Sequence, residues 1–346
     1  MPPNNNNAGL RTAVLLPCYN EGPAITSVVQ TFREVLPDAD IYVYDNNSTD
    51  NTAANARAAG AIVRNERPQG KGHVVRRMFA DIEADIYVLA DGDGTYDATS
   101  ASSMIEKLVS ENADMVVGVR THGGNPLAYR FGHLFGNRFL TATVRELFNS
   151  DFRDILSGYR VMSRRFVKSF PALASGFEIE TMLTIHALDL RLPYSEIECR
   201  YTERQEGTAS KLSTFRDGVR ILGTIVLLYK EYHPFRFFFV LSSLLALTAL
   251  ALGIPVIVEF VETGLVPRVP TAILSTGLMV LAGIGLTAGL ILDTVSRGRR
   301  EIKRLHYQAL PSVQHVLNPG QITGTTKKSR APKPGRALLV RARNDV

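Results

Sequence analysis

The run Ile86-Tyr87-Val88-Leu89-Ala90 stops at Asp91-Gly92-Asp93-Gly94-Thr95. A short apolar, β-prone segment that ends in two carboxylates separated by one glycine predicts a buried strand carrying oxygen ligands to its C-terminal end. Such a pair suits a hard divalent cation, Mg²⁺ or Mn²⁺, with Asp91 and Asp93 as its ligands. Asp and Gly are also ordinary turn residues, so the triplet gains meaning only from its company. Pro17-Cys18-Tyr19-Asn20-Glu21 follows the apolar run Ala13-Val14-Leu15-Leu16, and Asp45-Asn46-Asn47-Ser48-Thr49-Asp50 follows Ile41-Tyr42-Val43-Tyr44. Three polar clusters, each at the end of a short apolar run, predict one site built from several strands.

Strands and helices must alternate to place these clusters. Helical patterns at about residues 23–35, 50–59, 72–84 and 99–110 separate strand-like runs, with further strands at 61–63 and 114–119. Strict alternation predicts an α/β fold, a mostly parallel sheet with helices on both faces. Ligands of such sheets sit at the C-terminal ends of the strands, where all three clusters fall. Asp45 can accept hydrogen bonds from a ribose or a base, Tyr19 can stack on a base, and Glu21 can hold a ribose hydroxyl. Ser48, Thr49 and Asp50 read first as caps of the following helix. Gln69-Gly70-Lys71-Gly72 leads into a helix, so its N–H groups and Lys71 can meet a diphosphate. It is not a P-loop, because no Ser or Thr follows the lysine.

Further on, Arg120 closes a strand at the same edge, and Arg130 and Arg138 lie on a helical stretch, 129–148. Glu180 opens a helix through about residue 188, either as a first-turn acid favoured by the dipole or as a group reaching the acceptor. Arg204 and Lys211 flank the Gly-containing loop Gln205-Glu206-Gly207-Thr208-Ala209-Ser210, two cations suited to clamping a phosphate.

The chain has 346 residues and a net charge of +6, but the tail from Arg297 holds 12 Lys or Arg and 2 Asp or Glu. That tail carries +10 of the +6 total, which leaves residues 1–296 at −4 and argues against a nucleic-acid partner for the catalytic domain. Two cysteines, Cys18 and Cys199, make no disulfide framework or metal spacing. Residues 237–258 and 269–292 are uncharged, and at about 1.5 Å per residue each run spans a ~30 Å hydrocarbon core. Lys230, Arg236, Arg297, Arg299, Arg300, Lys303 and Arg304 flank the pair, so the positive-inside rule puts the connecting turn outside and both chain ends in the cytoplasm. A buried helical hairpin in a soluble protein is the competing reading. The expected organisation is a disordered leader (1–9), a catalytic domain (10–212), an interfacial juxtamembrane helix (213–235), a transmembrane hairpin (236–295) and a basic cytoplasmic tail (296–346).

Leu16-Pro17-Cys18-Tyr19-Asn20-Glu21, the Asp45 to Asp50 run, Asp91-Gly92-Asp93-Gly94-Thr95, Ser157-Gly158-Tyr159-Arg160 and the Arg204 to Lys211 run together resemble family 2 glycosyltransferases of the polyprenyl-phosphate type. The resemblance covers about residues 10–235 and implies a GT-A-like fold. It implies inverting transfer of a sugar from a nucleotide-diphospho-sugar to a membrane polyprenyl phosphate. Pro17, Tyr19, Glu21, Val43, Asp45, Lys71, Asp91, Gly92, Asp93 and Arg120 are expected around the donor. Arg130, Ser157, Arg204, Ser210 and Lys211 are expected at the acceptor phosphate. Asp93, Asp154, Arg204 and Lys211 are the expected catalytic set, Asp154 orienting the acceptor or assisting proton removal.

Asn46 stands where relatives have a second acid, and Thr95 where mannosyltransferases often have Gln. The Arg204 to Lys211 spacing is about one residue longer than theirs. These departures leave the sugar open, with a UDP-sugar favoured over GDP-mannose. Self-association is left open. A processive polysaccharide synthase and a non-catalytic membrane partner protein are the alternatives. The first carries a Gln-x-x-Arg-Trp motif in its relatives, and this chain has no tryptophan.

Overall fold

The computed structural model describes residues 9–122, 141–171, 179–202, 223 and 226–318. In chain order the first half comprises β1 (Thr12–Cys18), α1 (Ile25–Val35), β2 (Asp40–Asp45), α2 (Thr52–Ala58), β3 (Ile62–Asn65), α3 (Lys71–Asp81), β4 (Ile86–Leu89), α4 (Ser100–Ser110) and β5 (Met115–His122). It continues with β6 (Arg160–Ser163), α5 (Arg164–Ser169), α6 (Ile179–Leu190), β7 (Tyr194–Tyr201), α7 (Pro234–Thr263), α8 (Val269–Gln308) and α9 (Val313–Leu317). Residues 141–148 and 226–232 are also helical.

The strands form one sheet in the order β3-β2-β1-β4-β6-β5-β7. Strand β6 runs antiparallel to β4 and β5, while the other pairings are parallel. Two cores lie against its two faces, one under α3 and α6 and the other under α1 and α4. Helix α1 shows how the pattern works: Ile25, Val28, Val29 and Phe32 fall on one stripe and are buried. Each such side chain contributes about 1.5–3 kcal/mol relative to exposure.

Helices α7 and α8 are long and apolar enough to cross a membrane, yet only 11% of each apolar window is buried within the protein. Leu247, Ile257 and Val261 on α7, and Ile273, Ile284 and Leu290 on α8, face outward. A buried hairpin of a soluble domain would cover these side chains, so the competing soluble reading does not fit. The two helices approach closely where glycine removes a side chain. A Cβ on Gly285 would lie 2.7 Å from Ser242 Oγ, and one on Gly289 would lie 2.6 Å from Phe238 Cβ. Gly264, at φ +71°, ends α7 with its N–H donating to Phe260 O.

Helix α8 does not stop at the membrane boundary expected near 295. It runs on to Gln308, and the chain then turns into α9, whose Val313 enters the core and whose Gln314 Nε2 donates to Val109 O at 2.7 Å. Residues 296–317, expected in the tail, therefore pack back onto the part of the chain that precedes α7. The remainder of that tail, 319–346, lies outside the described residues.

Candidate active site

Parallel register brings the strand ends level: Cys18 pairs with Asp45 across β1 and β2, and Leu15 with Leu89 across β1 and β4. The loops after β1 and β2 are tied together. Asn20, at φ +58°, donates its N–H to Ser48 Oγ at 2.9 Å and accepts from Thr49 N at 2.8 Å. Asp50 accepts from Gly22 N at 2.9 Å and from Thr52 N at 3.0 Å, so it meets the first N–H of α2 from one position outside the cap residue, Asn51.

Tyr19 stands at the rim with 42% of its surface exposed. Pro17 and Val43 lie within β1 and β2, with the Val43 side chain buried. The Glu21 backbone N–H donates to Thr52 Oγ1 at 2.8 Å. Asp45 is 7% exposed; its Oδ2 accepts from Ser48 N at 3.2 Å, and its buried Oδ1 has no partner among the described residues. An orphaned buried carboxylate oxygen is costly, and a ligand hydroxyl or N–H at this edge would satisfy it.

Asn46 has a role that no local signal in the sequence announces. Its Nδ2 donates to Glu66 O and Pro68 O, both at 2.9 Å, and its Oδ1 accepts from Gly70 N at 2.7 Å. The amide thus clips the loop that leads into α3. An acid in its place would lose both donated bonds. The clip holds Gly70, and with it Lys71, against the sheet edge.

Asp91 and Asp93 follow β4. Asp93 is 8% exposed, and its Oδ1 accepts from Thr95 N at 3.1 Å and Thr95 Oγ1 at 2.6 Å, a turn that fixes the carboxylate. Gly92 is required by the packing beneath it, since a Cβ there would run into Cys18 Sγ and come within 3.4 Å of Ile25 Cδ1. Asp91 pairs with Lys71, whose ammonium also lies 2.5 Å from Glu180 Oε1. Gly158 makes room for this chain of charges: its Cβ would lie 3.0 Å from Asp91 Oδ2 and 3.1 Å from Lys71 Nζ. Burial alone would lower the Lys71 ammonium, but Asp91 and Glu180 more than offset it and hold it above its ordinary range. Burial also pushes Asp91 up, with Asp93 and Glu180 adding to the effect and Lys71 opposing it. Glu180 stays below the usual carboxylate range, because Lys71 outweighs burial. Glu180 lies in the first turn of α6, as the dipole reading expects, and its side chain meets Lys71.

Arg120 and Asp154, assigned separately from sequence, are partners. Arg120 Nε and Nη2 each lie 2.8 Å from one Asp154 oxygen, and the guanidinium sits over the Tyr201 ring. Burial opposes ionisation of Asp154, but the Arg120 bonds hold its carboxyl below the ordinary range. A depressed carboxyl contributes stability that is complete above about pH 4 and is lost as pH falls further. Arg120→Met is therefore expected to raise the Asp154 pKa and to move the acid limb of the unfolding-versus-pH curve upward, measured by thermal melts from pH 3 to 7.

Ser157, expected at the acceptor phosphate, is fully buried, and its hydroxyl donates to Gly118 O at 2.5 Å. Arg160, which the sequence reading did not single out, is also fully buried. Its guanidinium donates to Ser157 O at 2.9 Å, Ile155 O at 2.8 Å and Thr184 Oγ1 at 2.9 Å. Burial lowers it to about 10, with Glu180 and Asp154 acting in the other direction. Arg130, Arg138, Arg204, Ser210 and Lys211 lie outside the described residues.

No group of three or more His, Cys, Asp or Glu side chains gathers into a metal cluster among the described residues. Asp91 and Asp93 nevertheless fit a divalent cation by their chemistry: two carboxylates two positions apart in the loop after β4, in a space that Gly158 leaves open beside Asp91, with further oxygens to come from a diphosphate and water. A sheet in this strand order with Asp91-Gly92-Asp93 after β4, at the C-terminal end of its parallel strands, is the GT-A-like arrangement expected from the sequence.

Residues 13–170 match Glycosyl transferase family 2. The chain is 32% identical to the glycosyltransferase AglJ of Haloferax volcanii over 295 residues, 84% of this chain and 96% of that protein. It is 25% identical to the polyprenol monophosphomannose synthase of Mycolicibacterium smegmatis over 59% of this chain and 81% of that one. In structure it is similar to the glucosyl-3-phosphoglycerate synthase of Mycobacterium tuberculosis, crystallised with Mn²⁺, UDP and phosphoglyceric acid. That match has a TM-score of 0.53 and 25% identity, and covers 65% of this chain and 79% of that one. This chain belongs to glycosyltransferase family 2.

Proposed function

We propose that this enzyme transfers a sugar from a nucleotide-diphospho-sugar to a polyprenyl phosphate held in the membrane, with inversion at the anomeric carbon. The carrying observation is the placement of Asp91 and Asp93 at the C-terminal edge of the sheet of a family 2 glycosyltransferase whose chain goes on, from Pro234, into two membrane-length apolar helices. Donor recognition falls to Tyr19 stacking on the base, Glu21 and the unpaired Asp45 Oδ1 on the ribose or base, and Lys71 at the diphosphate. Asp93, with Asp91, would hold a Mg²⁺ or Mn²⁺ ion. Such an ion supplies positive charge against the diphosphate as it leaves.

An acceptor phosphate oxygen forms the new bond to the anomeric carbon as the bond from that carbon to the diphosphate oxygen breaks, the electron pair leaving with the nucleotide. Arg204 and Lys211 hold the acceptor phosphate, and Arg120 and Asp154 brace the adjoining wall. A phosphate monoester has its second pKa near 6, so it is largely dianionic at pH 7 and needs no strong base. This agrees with Asp154 being held ionised by Arg120 rather than poised to take a proton. Positioning and electrostatics carry the rate.

The UDP complex of the structural neighbour supports a UDP-sugar, and the mannose-synthase relative supports a lipid phosphate acceptor. The catalytic domain and both termini belong on the cytoplasmic side, with residues 264–268 outside. Membranes containing the enzyme should convert a labelled sugar-nucleotide into a chloroform-soluble, mild-acid-labile product. A product that stays water-soluble or grows into polymer would replace this reading.

A further inference from the structure

Helix α8 continues for some 15 residues past its apolar run, about 22 Å of helix, and grips the catalytic domain along that length. Nearest the membrane, Ser296 Oγ donates to Glu231 O at 3.2 Å. One turn on, Arg300 Nε and Lys303 Nζ lie 2.9 and 3.4 Å from the two oxygens of Asp189, whose side chain is nearly buried. His306 Nε2 then meets Lys168 O at 3.0 Å. Tyr307 OH donates to Asp114 Oδ2 at 2.5 Å and lies under the Arg165 guanidinium, which itself holds Asp114. Asp114 precedes β5, at the edge of the sheet opposite the site. The grip therefore runs from the membrane end of the domain to its far edge, and α9 extends it to the other face of the sheet.

The helix that is gripped is also the one that reaches the site. Helix α6 presents Glu180 to Lys71 in its first turn and Asp189 to Arg300 and Lys303 in its last, nine residues or about 13 Å apart. A charged, hydrogen-bonded strap of this kind does more than tether. A flexible linker would keep the domain near the bilayer but leave its tilt free, whereas a continuous helix docked at four levels fixes it.

We propose that the extramembrane part of α8 is a positioning strap: through Asp189, Asp114 and Lys168 it sets the height and tilt of the catalytic domain, so that the site meets a phosphate whose tail lies in the bilayer. This rests on the membrane-borne acceptor proposed above. Arg300, Lys303 and Tyr307 are positioning residues, remote from the reacting atoms.

The strap can be uncoupled without removing any of its contacts. Gly298 sits in α8 between Ser296 and the residues that reach Asp189, Lys168 and Asp114, with nothing within 4 Å of where its Cβ would be. Three glycines inserted after Gly298 break the rigid connection alone. The full-length protein in phosphatidylcholine and phosphatidylglycerol vesicles is assayed with two acceptors, a long-chain polyprenyl phosphate in the bilayer and a short, water-soluble prenyl phosphate. The insertion should lower turnover on the bilayer-held acceptor at least about tenfold, and on the soluble one by less than about twofold, since ångström-scale misplacement of reactants is costly. A second variant, Asp189→Asn with Arg300→Gln, Lys303→Gln and Tyr307→Phe, should show the same split if it folds. Equal losses on both acceptors, or none on either, overturn the strap. A wild-type enzyme that transfers to neither acceptor overturns the functional reading, and the strap with it.

Discussion

Asp93→Asn is expected to lower sugar transfer by about 10²–10³-fold, corresponding to about 2.7–4 kcal/mol of lost transition-state stabilisation. Asparagine is the cleaner substitution, because its Oδ1 can still accept from Thr95 N and Oγ1 and so keeps the turn that orients the side chain. Only the charge that would face a divalent cation is removed. The melting temperature should therefore stay close to that of the unaltered protein, while Mn²⁺ affinity, titrated by electron paramagnetic resonance in the presence of UDP, falls in parallel with activity. Asp93→Ala removes the turn as well and should add about 1–3 kcal/mol of destabilisation. Full transfer activity in Asp93→Asn would remove this residue from the metal assignment.

The second large effect is expected at Lys71. Its ammonium joins Asp91 to Glu180, and Lys71→Met leaves two partly buried carboxylates facing one another with no cation between them. Breaking such a pair typically costs 3–5 kcal/mol when fully buried; with these side chains up to about a third exposed, about 1–3 kcal/mol is expected. Glu180→Gln added to Lys71→Met removes the repulsion and should recover part of that stability, a non-additivity that calorimetry can read.

Activity should not return, because the cation proposed for the donor diphosphate is still missing, and kcat/KM for the donor should remain about 100-fold down. A double variant that regained both stability and donor kinetics would reduce Lys71 to a structural role. In the unaltered protein the Lys71–Glu180 pair should be at full strength from about pH 5 to about pH 10. Glu180, depressed, loses its contribution only as pH falls below the ordinary carboxylate range. Lys71, raised, loses its own only as pH climbs past the ordinary lysine range.

Some of this arrangement is visible in one dimension, and the division has a physical basis. A strand shows itself as a short apolar run, and in a parallel sheet the ligand edge is the C-terminal end of every run. Asp45, Asp91 and Asp93 could therefore be gathered into one site before any coordinates. Membrane-length helices are equally local, since an uncharged stretch of sufficient length needs no partner to be recognised. Pairings across the chain have no such signature. Lys71 and Glu180 are 109 positions apart, Arg120 and Asp154 34, and Asn46 and Gly70 24. The types of these residues permit many partners, and only the folded sheet selects one.

The same limit applies to Ser157, expected at the acceptor phosphate, and to Arg160, which the sequence reading gave no role. Burial commits the serine hydroxyl to Gly118 O and the guanidinium to internal oxygens, and burial is a property of the packed whole. It also explains α8. Its charged residues read as the start of a basic cytoplasmic tail, because Arg and Lys next to a membrane-length run are ordinary. Asp189 and Asp114, which hold them, lie more than a hundred residues earlier in the chain. By itself the sequence determined the sheet, the acidic edge and the membrane helices, each written in contiguous residues. The tertiary structure alone decided which charges neutralise one another and how the end of α8 docks through Asp189 and Asp114 on the α/β domain, because those energies arise only between segments that folding brings together.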